Sequence, residues 1–191
     1  MSNPALQEIL LGGFAYFVES GVTVDAQTVS ATVKPDSDPL ANWTAGSLGT
    51  ILEFEFGDEK TDAAYMAPQP AGGYAKINKS FVTQDFLTLK AREMNELVWR
   101  LQMGFASKIT EGTAQTPAAE MDRKIQGWLR LQGRQIGGLD RFLMDWWCEV
   151  RLEGKSKFDD KVASPTLRFT LIRSVAGTAV AGNSVNFPAE A

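Results

Sequence analysis

The side chains able to do chemistry are few, and spacing accounts for most of them. Glu53 and Glu55 form the closest acidic pair inside an apolar run, Ile51-Leu52-Glu53-Phe54-Glu55-Phe56. Two carboxylates are what glycoside hydrolysis requires. Here they lie two residues apart, with Leu52, Phe54 and Phe56 between and around them. Strand alternation puts the acids on one face and the apolar residues on the other, so a solvated strand face explains the pair. Asp58, Glu59 and Asp62 could hold a hard cation weakly, and Asp36-Ser37-Asp38 lacks the glycine and terminal Glu of a calcium loop. The glycine doublets at 12–13, 72–73 and 137–138 lack the Lys-Ser/Thr of a phosphate-cradling loop and read as turns. Cys148 stands between Trp147 and Glu149 in an apolar stretch, which reads as an inert buried thiol.

One constellation is more suggestive. Arg123, Lys124, Arg130, Arg134, Arg141 and Arg151 interleave with Trp128, Trp146 and Trp147, as on a β surface that binds single-stranded nucleic acid. Asp122, Asp140, Asp145, Glu149 and Glu153 alternate through the same stretch. Mixed charge of this kind suits pairing between subunits better than neutralisation of a phosphate backbone.

Two shortages narrow the chemistry further. The 191 residues include no histidine and one cysteine. Ser-His-Asp and Cys-His nucleophile systems and the usual catalytic zinc sites are thereby excluded, along with any intrachain disulfide. No catalytic, cofactor or metal site is expected, and the chain does not read as an enzyme. The net charge of −4 gives no general attraction to nucleic acid or anionic lipid. The first residues lack the basic start of a signal peptide, and the apolar stretch 9–18 is too short to cross a bilayer. No membrane association is expected, and the single cysteine suits a reducing compartment.

The elements that would position these residues are mostly strands. An apolar fraction of 44% with 22% charged residues suits one domain over residues 1–191 with a real core. Strands are expected at 10–18 (a strand or a short helix), 22–33, 48–56, 80–92, 123–134, 141–152 and 167–175. In the sixth, Phe142, Met144, Trp146, Cys148 and Val150 alternate with Leu143, Trp147 and Leu152, so both faces carry bulk. Met94, Leu97, Val98 and Leu101 follow helical spacing and place one helix near 93–103. Residues 57–79, with Pro68, Pro70, Gly72 and Gly73, read as a long loop, the kind that is usually functional. Residues 176–191 read as a C-terminal arm. The expected fold is therefore mainly β: a β-sandwich or barrel of about seven strands with one flanking helix, a long loop and terminal arms.

Three stretches give the chain a family likeness. They are Lys34-Pro35-Asp36 through Trp43 to Leu48-Gly49-Thr50-Ile51; Pro70-Ala71-Gly72-Gly73-Tyr74 with the following Ala91-Arg92-Glu93-Met94-Asn95-Glu96-Leu97; and Gly127-Trp128-Leu129-Arg130-Leu131-Gln132 through Asp145-Trp146-Trp147 to Ser164-Pro165-Thr166-Leu167-Arg168-Phe169. In order, length and style they resemble the major tail tube proteins of long-tailed bacteriophages.

The resemblance implies a structural virion protein. Six copies would join their sheets into a ring, and rings would stack into a hollow tail tube for DNA ejection. Partners would be further copies of the chain and other tail proteins (terminator, tape measure, distal tail). DNA would pass through the lumen without specific binding, and assembly would take place in the host cytoplasm. The 57–79 loop would reach the neighbouring ring through Asp58, Glu59, Tyr65 and Tyr74. Glu53 and Glu55, or Asp140 and Asp145, would line the lumen, where carboxylates repel phosphates. Trp146, Trp147, Arg141 and Arg151 would serve the subunit interface. The alternatives are a single-stranded nucleic-acid-binding β domain using the Arg/Trp stretch, or another tube component such as a tail terminator or type VI secretion tube protein.

Overall fold

The computed structural model describes residues 13–35, 41–44, 46–70, 72–92, 94–103, 105, 109, 112–114, 124–134, 140–154, 164–172 and 183–186. The fold is mainly β. Among the described residues, nine strands and two helices follow in the order β1 (Gly13–Glu19), β2 (Thr23–Val24), β3 (Gln27–Thr28), α1 (Ala41–Thr44), β4 (Ser47–Pro68), β5 (Tyr74–Ala91), α2 (Glu96–Met103), β6 (Ile125–Arg134), β7 (Asp140–Leu152), β8 (Thr166–Leu171) and β9 (Ser184–Asn186). Seven of them form one antiparallel sheet in the order β6-β1-β4-β5-β8-β7-β9, and β6 also pairs with β7. That last pairing closes β6, β1, β4, β5, β8 and β7 into a barrel. Closure removes the unpaired edges that an open sheet would present.

Alternation decides what the barrel encloses. Ala15 and Phe17 of β1, Leu129 and Leu131 of β6, and Met144, Cys148 and Val150 of β7 point inward and are buried. Leu87 and Leu89 of β5 and Leu167 and Phe169 of β8 complete the interior. Leu97, Val98 and Leu101 of α2 pack into the same core. Asn95 caps this helix: its Oδ1 accepts the Val98 N–H at 3.0 Å, satisfying one of the free donors of the first turn. The cap starts the helix at Glu96, inside the expected 93–103.

A second apolar layer lies outside the barrel wall. Tyr16, Val18, Trp128 and Trp147 project from the outer faces of β1, β6 and β7, and Val29 and Trp43 from the 22–46 excursion cover them. The two-sided bulk of the 141–152 stretch is thus absorbed within one chain. Gly46 makes this cover possible: its carbonyl accepts the Phe17 N–H at 2.7 Å, and a Cβ there would stand 2.1 Å from the Phe17 carbonyl oxygen.

Three expectations need correction. The single strand at 22–33 is instead a small ribbon, in which β2 and β3 are joined through Asp25 and Ala26, both at positive φ (48° and 60°). Two left-handed residues make a tight hairpin turn, and without a glycine the sequence does not announce it. The 57–79 segment is not a loop but the outer part of the β4–β5 hairpin, with only Gln69–Gly73 forming its turn. β8 is described over Thr166–Leu171, and positions 173–175 of the expected strand lie outside the described residues. Within the expected C-terminal arm, Ser184–Asn186 pairs with Leu143–Asp145 of β7. The main sheet therefore keeps seven strands by losing 22–33 and gaining β9.

Candidate functional site

The β4–β5 hairpin changes character along its length. Near the barrel it is wall: Phe54 faces Leu89 and Phe56 faces Leu87, while β8 pairs with Phe86–Lys90 on the far side of β5. Then Thr83 enters as an extra residue, because Glu59 pairs with Gln84 but Lys60 pairs with Val82. The Thr83 hydroxyl donates to the Glu59 carbonyl at 3.0 Å. A bulge of this kind bends a ribbon and increases its twist. Beyond it run Lys60–Pro68 and Tyr74–Val82. At roughly 3.4 Å per residue, they project about 30 Å. At the tip the Gly72 N–H donates to the Gln69 carbonyl at 3.0 Å, with Gly72 and Gly73 at φ +84° and +90°.

Cross-strand partners share a face, so the register sorts the arm's side chains. One face carries Thr61 with Phe81, Ala63 with Lys79, Tyr65 with Ile77, and Ala67 with Ala75. It is apolar apart from Thr61 and Lys79, and the Lys79 ammonium lies 5.7 Å from the Tyr65 ring centre. The other face alternates polar and apolar groups: Lys60, Asp62, Ser80, Asn78 and Lys76 among Val82, Met66 and Tyr74. Nothing in the described chain covers either face. Tyr74 is 70% exposed, Met66 60%, Phe81 53% and Tyr65 45%. Neither outer edge carries a further strand among the described residues, since β1 reaches only to Thr50 and β8 only to Phe86. From Gly57 to Val82, Asp58, Glu59 and Asp62 balance Lys60, Lys76 and Lys79, leaving no net charge.

The arm is fastened at its root. A Cβ on Gly57 would stand 2.4 Å from the Phe86 ring, so the ring lies directly across the glycine. The Arg168 guanidinium stacks on Phe86 at 3.8 Å, bonds Glu59 and reaches Glu153 at 3.9 Å. Asp58 pairs with Lys60 at 2.9 Å and holds its ammonium pKa above the ordinary lysine range.

The site residues named from sequence separate accordingly. Tyr65 and Tyr74 stand on opposite faces of the arm, and Asp58 and Glu59 belong to its root. Glu53 and Glu55 are exposed on the outer wall, opposite Lys90 and Thr88. Asp140 and Arg141 are described as strand positions only. Asp145 cannot line a lumen: it is 1% exposed and enclosed by cations. Arg130 grips it with two bonds, Nε at 2.7 Å and Nη2 at 2.8 Å, and Lys34 adds a third at 3.0 Å. Trp43 stacks on the Arg130 guanidinium at 4.0 Å. Trp147 is buried in the same outer layer, so it is spent inside the chain and offers no subunit contact. Trp146 packs against the interior core and meets Phe56 edge-on at 5.8 Å near the arm's root. Arg151 is half-buried on the outer face, opposite Arg168.

The same burial takes Trp128 and Arg130 out of the Arg/Trp surface. Trp128 and Arg130 are closed to any base or phosphate, and the Trp128 indole N–H is taken by the Ser30 carbonyl at 2.8 Å. Burial also pushes the Cys148 thiol well above its usual range, so it carries no thiolate near neutrality. A cavity of about 90 Å³ opens between β1, the start of β4 and α2. Its size suits a few water molecules, and Asn42 and Asn95 each bring a buried amide NH₂ without a partner. Phe81, Met66, Ile77 and Val82 were missed in the sequence. The signal was present as period-two spacing in Ala63-Tyr65-Ala67 and Ala75-Ile77, but the Pro/Gly cluster between them reads as the centre of a loop. No family model matches this chain, and no curated protein matches it either.

Proposed function

We propose that this chain is the repeating structural subunit of a hollow tube of the phage-tail kind, with six copies closing each ring and rings stacking through the β4–β5 arm. The free-standing arm carries this reading. An isolated two-stranded ribbon is marginally stable in water, and this one adds an uncovered apolar face and two bare edges. Such a surface is a site of association. Its zero net charge fits a second copy of an acidic chain better than a charged polymer. The partner at the arm is therefore another subunit, and partners at the tube ends are other tail proteins. Glu53 and Glu55, exposed on the outer wall, can face a lumen and keep DNA from adhering. The chain does no catalysis in this reading, and its place is the virion tail.

Negative-stain electron microscopy of concentrated protein tests it. Rings with a central hole or hollow rods are expected. A protein that sediments as a monomer at every concentration overturns the reading. Replacing Lys60–Val82 with an Asn-Gly turn separates the two steps: rings should persist while rods disappear. Rods of normal stability would remove the arm from the stacking contact.

A further inference from the structure

Arg168 stands where the arm leaves the barrel. On β8 it pairs with Thr88 of β5 on one side and Arg151 of β7 on the other. It faces outward, because its neighbours Leu167 and Phe169 fill the interior. Arg151 is a like charge with no ion pair among the described residues. Like charges directly opposite each other repel. The Arg168 side chain leans away from Arg151, over the Phe86 ring and toward the arm.

There two carboxylates compete for one guanidinium. Nη2 bonds Glu59, while Nη1 lies 3.9 Å from Glu153, beyond hydrogen-bond range. Arg168 is 7% exposed, and its Nε is buried without a partner. The two acids belong to different bodies. Glu59 sits at the bulge where the arm begins, its carbonyl bonded by the Thr83 hydroxyl. Glu153 follows β7 and is fixed to the wall, its N–H donating to the Thr166 carbonyl at 2.8 Å. A buried guanidinium must keep a carboxylate, and either acid meets that need.

We propose that Arg168 is a two-position latch that aims the arm. Bonded to Glu59, it ties the bulge to the barrel wall and fixes the arm's direction. Moved to Glu153, it stays paired within the wall and leaves the arm to pivot at the bulge, where an extra residue already interrupts the ladder. One charged bond replaces another, so the two positions lie close in energy. A load or a contact on the arm then selects between them. The latch is a property of the single chain and does not depend on the tube reading.

The test uses spin labels on the full chain, at Asn78→Cys on the arm and Gln126→Cys on β6, both exposed positions. Cys148 is buried and stays unlabelled. The protein is kept dilute so that no neighbour holds the arm, and double electron–electron resonance reads the distance distribution. Glu59→Ala should widen it roughly twofold, because the bulge alone then sets the angle. Glu153→Ala removes the released position and should narrow it. A parent-like width in Glu59→Ala overturns the latch, and an unchanged or wider distribution in Glu153→Ala overturns the second position. Denaturant unfolding gives an independent check. Each single variant should keep a midpoint near the parent's, since the other acid takes the guanidinium. The double variant should lose more than the two single losses combined, and additive losses would show that the acids do not substitute for each other.

Discussion

Two long antiparallel strand pairs among the described residues, β6–β7 and β4–β5, have opposite fates. β6–β7 is buried on both faces, by the barrel interior on one side and the Trp43 layer on the other. Past the Thr83 bulge, β4–β5 is bare on both faces. Both carry aromatic residues, and both contain pairs of opposite charge. The difference lies in what the rest of the chain supplies. The 22–46 excursion returns over β6–β7 and gives even its charged groups partners. No described segment returns over the arm. Aromatic content therefore does not separate core from contact surface, and cover within the chain does.

Substitutions can press on this contrast. Asp145→Ala leaves the buried Arg130 without its carboxylate, and removing one partner of a buried ion pair costs about 3–5 kcal/mol. Denaturant unfolding should show that loss; a change below about 1 kcal/mol would mean the layer is wet. Trp43→Ala should cost a similar ~3–5 kcal/mol by emptying the cover over Arg130. Gly57→Val drives a branched side chain into the Phe86 ring. It should cost roughly 1–3 kcal/mol as overpacking and loosen the arm's root, read as faster exchange at Lys60–Asp62. Tyr65→Ser with Phe81→Ser should leave monomer stability within about 0.5 kcal/mol, yet weaken self-association in sedimentation. If the pair destabilises the monomer as Trp43→Ala does, the arm is covered after all. The smallest effect belongs to Cys148: a thiol reagent near neutral pH should leave it unlabelled until the barrel unfolds.

The barrel was legible where one periodicity had one cause. Ile125, Leu129 and Leu131 alternate because one face of β6 meets the interior, and Leu97, Val98 and Leu101 repeat at helical spacing because α2 packs one stripe on the same core. The arm was hard to read as strand because its period-two apolar spacing is short and broken by Thr61 and Lys79. Pro68, Pro70 and the two glycines belong to its tip, but they color the whole segment in a composition-based reading. Asp145 and Trp147 show the reverse error. As an acid and an aromatic on the outer face of β7, they look available for contact. The return of Lys34, Val29 and Trp43 from far earlier in the chain helps enclose them, and no local window contains that information. Tyr65 and Tyr74 were found because an aromatic in an apparent loop stands out, whereas Phe81 was lost inside an expected strand.

The arm's strands are the barrel's own strands, since β4 runs unbroken from Ser47 in the wall to Pro68 at the tip. That continuity is mechanical. A pull on the tip along the arm's axis enters the wall through two backbones at once, with no flexible linker between. The ladder bonds there lie across the pull and share it, whereas a sideways pull would open them one after another. The hairpin is thus stiffest along its length and most compliant at the Thr83 bulge, so a tip held by a neighbour would transmit tension while letting the two bodies tilt.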